Sequence, residues 1–255
     1  MEMKMIEAVL FDIDNTLILF DETRFFQTYI PKITAVYSDV FSPEAFYERL
    51  IGGSRALLRN QGRKTNADFY MDVFASGMDD RRQEFWNRFE RFYDTEFESL
   101  SELITPVEGV PDVFQSVHDR GIKVVIASHP LWPKRVQQIR LKWAGLDGFP
   151  YDLITHIENT KYCKPQVEYY QEIADAIQVS PEHCMMVGND PVNDGVARLA
   201  GMKTFLTTDA KDQGFESFPM SKEIREQVHD PIPDPDFGGL LSDVPQVIAE
   251  LLSKS

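Results

Sequence analysis

Residues 6–16 read IEAVLFDIDNT, and this short stretch decides the fold. The part up to residue 11 is nearly all apolar, which is typical of a strand covered on both faces. The sequence then changes to the polar turn DIDNT at residues 12–16. In sheets of parallel strands, ligands bind beyond the carboxyl ends of the strands. The carboxylates of this turn are therefore candidates for a functional site.

After Pro106 the sequence alternates between helical and strand patterns. Val110, Val113 and Val117 form an apolar stripe at helical spacing, which Gly121 closes. Further strands are predicted at 122–127, 151–154, 184–187 and 203–206, and further helices at 133–143, 170–177, 191–200 and 244–251. Repeated units of this kind predict an α/β fold with a Rossmann-like, doubly wound parallel sheet and helices on both of its faces.

A predicted α-helical domain interrupts this pattern near its start. Strand patterns stop there, and Phe85, Phe89 and Phe92 recur at helical spacing, which indicates the apolar core of a helical bundle more than a ligand cage. The predicted division is a core domain at residues 1–20 and 105–255 and a helical domain at residues 21–104.

Residues 207–239 show no regular pattern. This segment contains four prolines and a pair of adjacent glycines, which favour turns and extended loops. We predict an arm or long loop here, and the sequence assigns it no function.

The composition narrows the range of partners. With 26 Lys+Arg against 41 Asp+Glu, the formal net charge is −15 at pH 7, so the chain lacks the positive field that drives nucleic-acid binding. The apolar runs are too short to cross a bilayer, and the start of the chain does not resemble a signal peptide. We expect no nucleic-acid partner and no membrane association.

Two cysteines are too few for a disulfide framework or a zinc cluster, which fits a cytoplasmic location. Cys163 stands beside Lys164, but a buried, inert thiol is favoured over a redox role.

Polar side chains follow several of the predicted strands. Asp12 and Asp14 come directly after the first strand, and Ser128 follows the strand at 122–127. The later segments contribute Lys164, Asn189, Asp190 and Asp194. Because the carboxyl ends of parallel strands meet at one edge of the sheet, these carboxylates, the hydroxyl and the ammonium are expected to converge.

Taken together, these residues resemble the haloacid dehalogenase superfamily of hydrolases. The motifs occur in the family's order, as Asp12-x-Asp14-x-Thr16, Ser128, Lys164-Pro165 and Gly188-Asn189-Asp190-x-x-x-Asp194. The helical insert at 21–104 also lies where this family places its type-1 cap. Taken singly, Asp12 and Asp14 can be simple turn formers, and Asp190 before Pro191 can be a helix N-cap.

The resemblance implies a role for each residue. Asp12 would be the nucleophile, since a carboxylate can attack phosphorus and hold the phosphoryl group as an aspartyl phosphate. Asp14 would be the general acid and base, and its presence favours phosphate esters because dehalogenases and phosphonate-cleaving relatives lack it. Ser128 and Lys164 would hold the non-bridging phosphate oxygens.

Both the nucleophile and a phosphate ester are anionic, so a divalent cation is expected between them. Hard oxygen ligands select Mg²⁺. The proposed ligands are Asp12, the backbone carbonyl of Asp14 and the carboxylate of Asp190, with Asp194 in support. Asn189 departs from the family, because many relatives have a first aspartate there.

The sequence signal is less specific for two further substrate-binding candidates. His129 stands where a small residue or Asn is more familiar, and it is either a substrate contact or a bystander. Arg55 follows Gly52-Gly53-Ser54, which is similar to a cap loop of sugar-phosphate members. With Arg59, Arg63 and Lys64 it would form either a cationic lip over the substrate or a solvated basic helix face.

The sequence thus predicts a Mg²⁺-dependent phosphatase that hydrolyses a small soluble phosphate monoester, a phosphorylated metabolite, through an aspartyl phosphate. The alternatives are a phosphomutase of the same fold, a 2-haloacid dehalogenase and a non-catalytic phospholigand-binding protein. The sequence leaves the oligomeric state and the identity of the ester open.

Overall fold

The computed structural model describes residues 6–211, 213–214, 216–226 and 231–253. The predictions for the first five residues, and for the parts of the arm at 212, 215 and 227–230, lie outside the described residues.

The core is a sheet of six parallel strands. The strands are β1 Ala8–Phe11, β4 Lys123–Ile126, β5 Leu153–Ile154, β6 Cys184–Gly188, β7 Lys203–Thr207 and β8 Phe237–Gly239. Their order across the sheet is β5-β4-β1-β6-β7-β8. All four residues of β1 are buried, since β4 and β6 pair with its two edges and apolar clusters cover both of its faces. The apolar run that opens the chain therefore forms a central strand.

Helices cover both faces of the sheet, which confirms the predicted Rossmann-like α/β fold. They are α5 Val110–His118, α6 Lys134–Trp143, α7 Val167–Ile177 and α9 Val244–Ser253. Val9 and Phe11 point into one apolar cluster with α5, α6 and α9, whereas Ala8 and Leu10 point into another with α7. This alternation follows from the two-residue period of a strand.

Between the core strands lies a helical segment of four α-helices. They are α1 Glu22–Ala35, α2 Pro43–Leu57, α3 Asn66–Phe74 and α4 Arg82–Thr95. A short antiparallel pair, β2 Ile18–Leu19 and β3 Thr105–Pro106, joins the two ends of the segment. Phe85, Phe89 and Phe92 are buried among its helices. We call this segment the cap, and its division from the core at residues 20 and 105 stays a prediction.

The predicted helix at 191–200 is wrong. The structure has turns there and a short 3₁₀ helix at Gly195–Arg198. The Asp190 carboxylate accepts hydrogen bonds from the backbone N–H groups of Val192 and Asn193, at 2.8 and 3.0 Å. Side chains that bond to nearby backbone N–H groups compete with regular helix formation, which explains the difference.

The arm at 207–239 is more regular than its sequence indicates. It contains α8 Pro219–Glu226 and ends in the edge strand β8. The sequence pattern does not predict this strand, because two of its three residues are glycine. Within the described ranges, none of the helices combines the length and the apolar character that crossing a bilayer requires.

Candidate active site

A cavity of about 160 Å³ opens at the carboxyl end of the sheet, between the core, the cap and the arm. Of the predicted site residues it is lined by Asp12, Asp14, His129, Lys164, Asn189, Asp190 and Asp194. These residues follow β1, β4, β5 and β6, so the parallel topology brings them together although up to 182 positions separate them in the chain.

Lys164 joins two of the carboxylates at the floor of the cavity. Its Nζ donates to Asp12 Oδ1 at 2.9 Å and to Asp194 Oδ1 at 2.5 Å, and all three residues are buried. The second oxygen of Asp194 accepts the backbone N–H of Asp190 at 2.9 Å. A Cβ at Gly188 would lie only 2.1 Å from that oxygen, so the glycine is required for this approach.

The electrostatics of this trio follow from burial. Burial raises the pKa of the Asp12 carboxyl to about 7; Lys164 opposes the shift, and the charges of Asp194 and Asp14 add to it. Burial also raises the pKa of Asp194. Burial opposes the charge of Lys164, but Asp12 and Asp194 outweigh it and raise its pKa well above its ordinary value. Lys164 is therefore a fixed cation.

Asp14 forms an ion pair with Arg140 of α6, a residue that the sequence did not identify. Arg140 is 3% exposed, and its Nη1 donates to Gln137 Oε1 at 2.6 Å. Gln137 in turn donates to the carbonyl of Thr155 at 3.1 Å. Arg140 lies four residues after the buried Val136, so its helical spacing was the available signal.

Ser128 lies beneath this network and does not line the cavity. It is fully buried, its Oγ is 3.5 Å from Arg140 Nη1, and its carbonyl accepts the Tyr169 hydroxyl at 2.7 Å. His129, by contrast, lines the cavity. Burial lowers the pKa of its imidazole to about 4, with the positive charge of Lys164 acting in the same direction, so the ring is neutral near pH 7.

Asp190 combines a capping role with an ion pair. One oxygen caps the turn that follows β6, and Oδ2 accepts from Arg225 Nη1 of the arm at 2.8 Å. The sequence gave no signal for Arg225, because its contact depends on how α8 packs. Glu22 of α1 also lines the cavity, and burial raises the pKa of its carboxyl.

Arg55 lies elsewhere. Residues 52–55 belong to α2 and do not form a loop, and the Arg55 guanidinium pairs with Glu223 of α8. Its side chain is 49% exposed. None of the four basic residues proposed for a cationic lip, Arg55, Arg59, Arg63 and Lys64, lines the cavity.

The donor set suits a hard divalent cation. Among the residues lining the cavity are five carboxylates, those of Asp12, Asp14, Glu22, Asp190 and Asp194, against the cations Lys164, Arg140 and Arg225. This excess of negative charge, together with carboxylate and carbonyl oxygens, fits Mg²⁺. The described residues contain no group of three or more Asp, Glu, His or Cys side chains in metal-binding geometry. Of the predicted direct ligands only Asp12 and Asp190 contribute side chains, because the third ligand is the backbone carbonyl of Asp14 and Asp194 is only in support.

The fold and this arrangement of residues define a class of protein. A family model for haloacid dehalogenase-like hydrolases matches residues 6–201, most of the chain. The chain belongs to this family, and it is a hydrolase of the haloacid dehalogenase type.

Individual relatives are more distant. The chain is 25% identical over 199 residues to pyrophosphatase PpaX of Bacillus cereus strain Q1, a match covering 78% of this chain and 82% of the relative. With pyrophosphatase PpaX of Halalkalibacterium halodurans it is 28% identical over 102 residues, and the match spans only 46% of that relative. The structure of L-2-haloacid dehalogenase from Xanthobacter autotrophicus superposes with a TM-score of 0.55 at 18% identity, covering 96% of this chain and 99% of that one.

Proposed function

We propose that the protein is a Mg²⁺-dependent phosphatase that hydrolyses a small phosphate monoester through an aspartyl phosphate on Asp12. The observation that carries the proposal is the buried trio of Asp12, Lys164 and Asp194 at the floor of the cavity. Lys164 holds the Asp12 carboxylate in place and supplies fixed positive charge next to an incoming phosphate.

In this proposal the residues divide the work between two steps. Asp12 attacks phosphorus, and Asp14 protonates the leaving oxygen and then takes a proton from the attacking water. Arg140 fixes the orientation of Asp14 from the protein interior. Ser128 acts from below the cavity, through its position next to Arg140.

Asp12, Asp190 and the carbonyl of Asp14 would hold the Mg²⁺, with Asp194 in support. A bound Mg²⁺ supplies positive charge that offsets the repulsion between the carboxylates and the phosphate. The neutral His129 contributes no charge, so it serves as a polar wall of the cavity.

The first prediction concerns Asp12. Phosphate release from 4-nitrophenyl phosphate is expected to depend on Mg²⁺, to stop with chelator, and to fall by at least about 1,000-fold in Asp12→Asn. The variant should stay folded, because Lys164 keeps its contact with Asp194. Asp112→Asn, an exposed site on α5, is the matched control and should retain wild-type turnover.

Activity retained by a folded Asp12→Asn variant would contradict the proposal. The same samples discriminate the alternatives. A phosphomutase needs a bisphosphate activator and releases little free phosphate, a dehalogenase releases halide from 2-haloacids, and a binding protein shows a thermal shift with phosphate esters but no turnover.

A further inference from the structure

The arm contributes part of the cavity wall, although it lies outside the family match, which ends at residue 201. Ser217, Met220, Ser221 and Arg225, all on or next to α8, line the cavity together with the catalytic candidates. An element that the family model does not describe therefore shapes the site of this chain.

The arm is fixed to the cap by both polar and apolar contacts. The backbone N–H of Phe218 donates to Glu22 at 2.8 Å, and that of Glu216 donates to Asp21 at 3.1 Å. The Phe218 ring lies 4.5 Å from that of Phe26, centroid to centroid. The cap partners of the arm all lie at the start of α1, so these contacts fix the position of α8 over the cavity.

Arg225 differs from the other cations of the cavity. Lys164 and Arg140 have side-chain exposures of only 2% and 3%. The Arg225 side chain is 25% exposed. Within the described part of the chain its guanidinium donates a hydrogen bond through Nη1 to Asp190, and a guanidinium has five N–H donors.

Arg225 also lies next to the proposed Mg²⁺ site. Its partner Asp190 is a proposed Mg²⁺ ligand, so Mg²⁺ and Arg225 would compete for the same carboxylate charge. An anion on the substrate is a natural replacement partner, and guanidinium groups bind carboxylates and phosphates by paired hydrogen bonds.

We propose that Arg225 is a specificity-determining residue that binds a second anionic group, carried by the leaving group of the substrate. This inference rests on the proposed phosphatase function and names its substrate class: phosphate compounds whose leaving group is itself negatively charged. The arm is then an element that determines substrate selectivity, and the second anion is either a carboxylate or a phosphate.

The test compares 2-phosphoglycolate with 2-phosphoglycolamide, which have nearly the same shape but differ by one negative charge. The wild-type protein should favour the acid in kcat/KM. In Arg225→Gln the ratio of acid to amide should fall by about tenfold, chiefly through KM, which corresponds to about 1.4 kcal/mol. Arg225→Lys should restore part of the ratio, because the charge remains and the fork geometry is lost.

Glu223→Gln is the matched control. It removes the ion pair of α8 with Arg55 but leaves Arg225 in place, so the acid-to-amide ratio should stay at the wild-type value. Pyrophosphate is the second arm of the experiment and reports whether the second anion is a phosphate. If Arg225→Gln lowers kcat/KM for pyrophosphate more than for the amide, the second anion that Arg225 binds is a phosphate.

The outcomes separate this inference from the proposed function. If Arg225→Gln lowers kcat/KM equally for the acid and the amide, the role of Arg225 is wrong while the phosphatase function stands. The same holds if the wild-type protein prefers the amide and the substitution does not change kcat/KM for pyrophosphate. If none of the three compounds is hydrolysed in an Asp12-dependent way and other phosphate esters are, the role of Arg225 is again wrong. If no phosphate compound is hydrolysed, both proposals fail.

Discussion

At the scale of single residues, the properties of the cavity depend on charged side chains that are shielded from water. Asp12, Asp194 and Lys164 are each less than 8% exposed. The positive charge of Lys164 favours the charged form of both carboxylates, and they favour the charged form of Lys164. Removing one member of such a group leaves a buried charge without a partner, which costs more than the pair contributes when intact. The catalytic candidates are therefore part of the stability of the core as well as of its chemistry.

His129 gives a prediction about stability and pH. The pKa of its imidazole is lowered from 6.5 to about 4 in the folded protein, chiefly by burial. Between these values the unfolded chain binds a proton that the folded protein does not bind. The contribution of this imidazole to the free energy of unfolding is therefore fully present above pH 6.5. It is lost as the pH falls towards 4, and the loss is at most about 3 kcal/mol.

His129→Asn should therefore flatten the loss of stability between these pH values, measured by urea unfolding at a series of pH values. His118→Asn, an exposed imidazole on α5, is the control for the substitution itself. A variant curve parallel to that of the wild type across this range would show that the His129 imidazole is not the group that titrates.

At the scale of elements, the packing of α2 against α3 determines the shape of the cap. Gly52 and Gly53 are adjacent in α2 but have different surroundings. A Cβ at Gly53 would lie 2.6 Å from the ring of Tyr70, whereas one at Gly52 would meet only Val73 at 3.8 Å. Tyr70 is itself packed against Phe74 and Phe89, so its ring has little room to move.

The two glycines give a matched pair of substitutions. Gly53→Ala should destabilise the protein by about 1–3 kcal/mol, because the ring of Tyr70 must shift in a packed core. Gly52→Ala should be neutral or stabilise by up to about 1 kcal/mol, because alanine favours a helix over glycine. Chemical denaturation measures both, and equal effects would contradict the close approach at Gly53.

At the scale of the whole molecule, the cap and the core share one apolar cluster. Trp132, in the loop after β4, joins them: its ring lies 5.3 Å from that of Tyr29 in α1 and 5.6 Å from that of Phe97 at the end of the cap. The same cluster includes Phe11 of the central strand. Unfolding of the cap would therefore expose apolar surface of the core.

We expect one cooperative thermal transition. Trp132→Ala should destabilise the protein by about 3 kcal/mol, which lowers Tm by about 6–12 °C at this chain length. Trp86→Ala should have a smaller effect, because this tryptophan of α4 is only partly buried against the same cluster. Scanning calorimetry measures both, and two separate transitions in the wild-type protein would show that the cap unfolds independently.

Much of the fold could be predicted because it depends on local patterns. Apolar runs of strand length, helical spacing and polar residues after strands are properties of neighbouring positions. The convergence of Asp12, Lys164 and Asp190 could also be predicted, because parallel strands leave all their carboxyl ends at one edge. The helix at 191–200 could not be excluded in advance, because the turn there is set by hydrogen bonds of the Asp190 and Asp194 side chains.

The sequence by itself thus determined the α/β core, the helical insert and the acidic site at the end of the first strand. Only the tertiary structure decided which cations face that site. Arg55 was a candidate and pairs with Glu223 at the surface, whereas Arg140 and Arg225 reach Asp14 and Asp190. The direction of a long side chain depends on the packing of elements far apart in the chain, and local sequence patterns do not predict that packing.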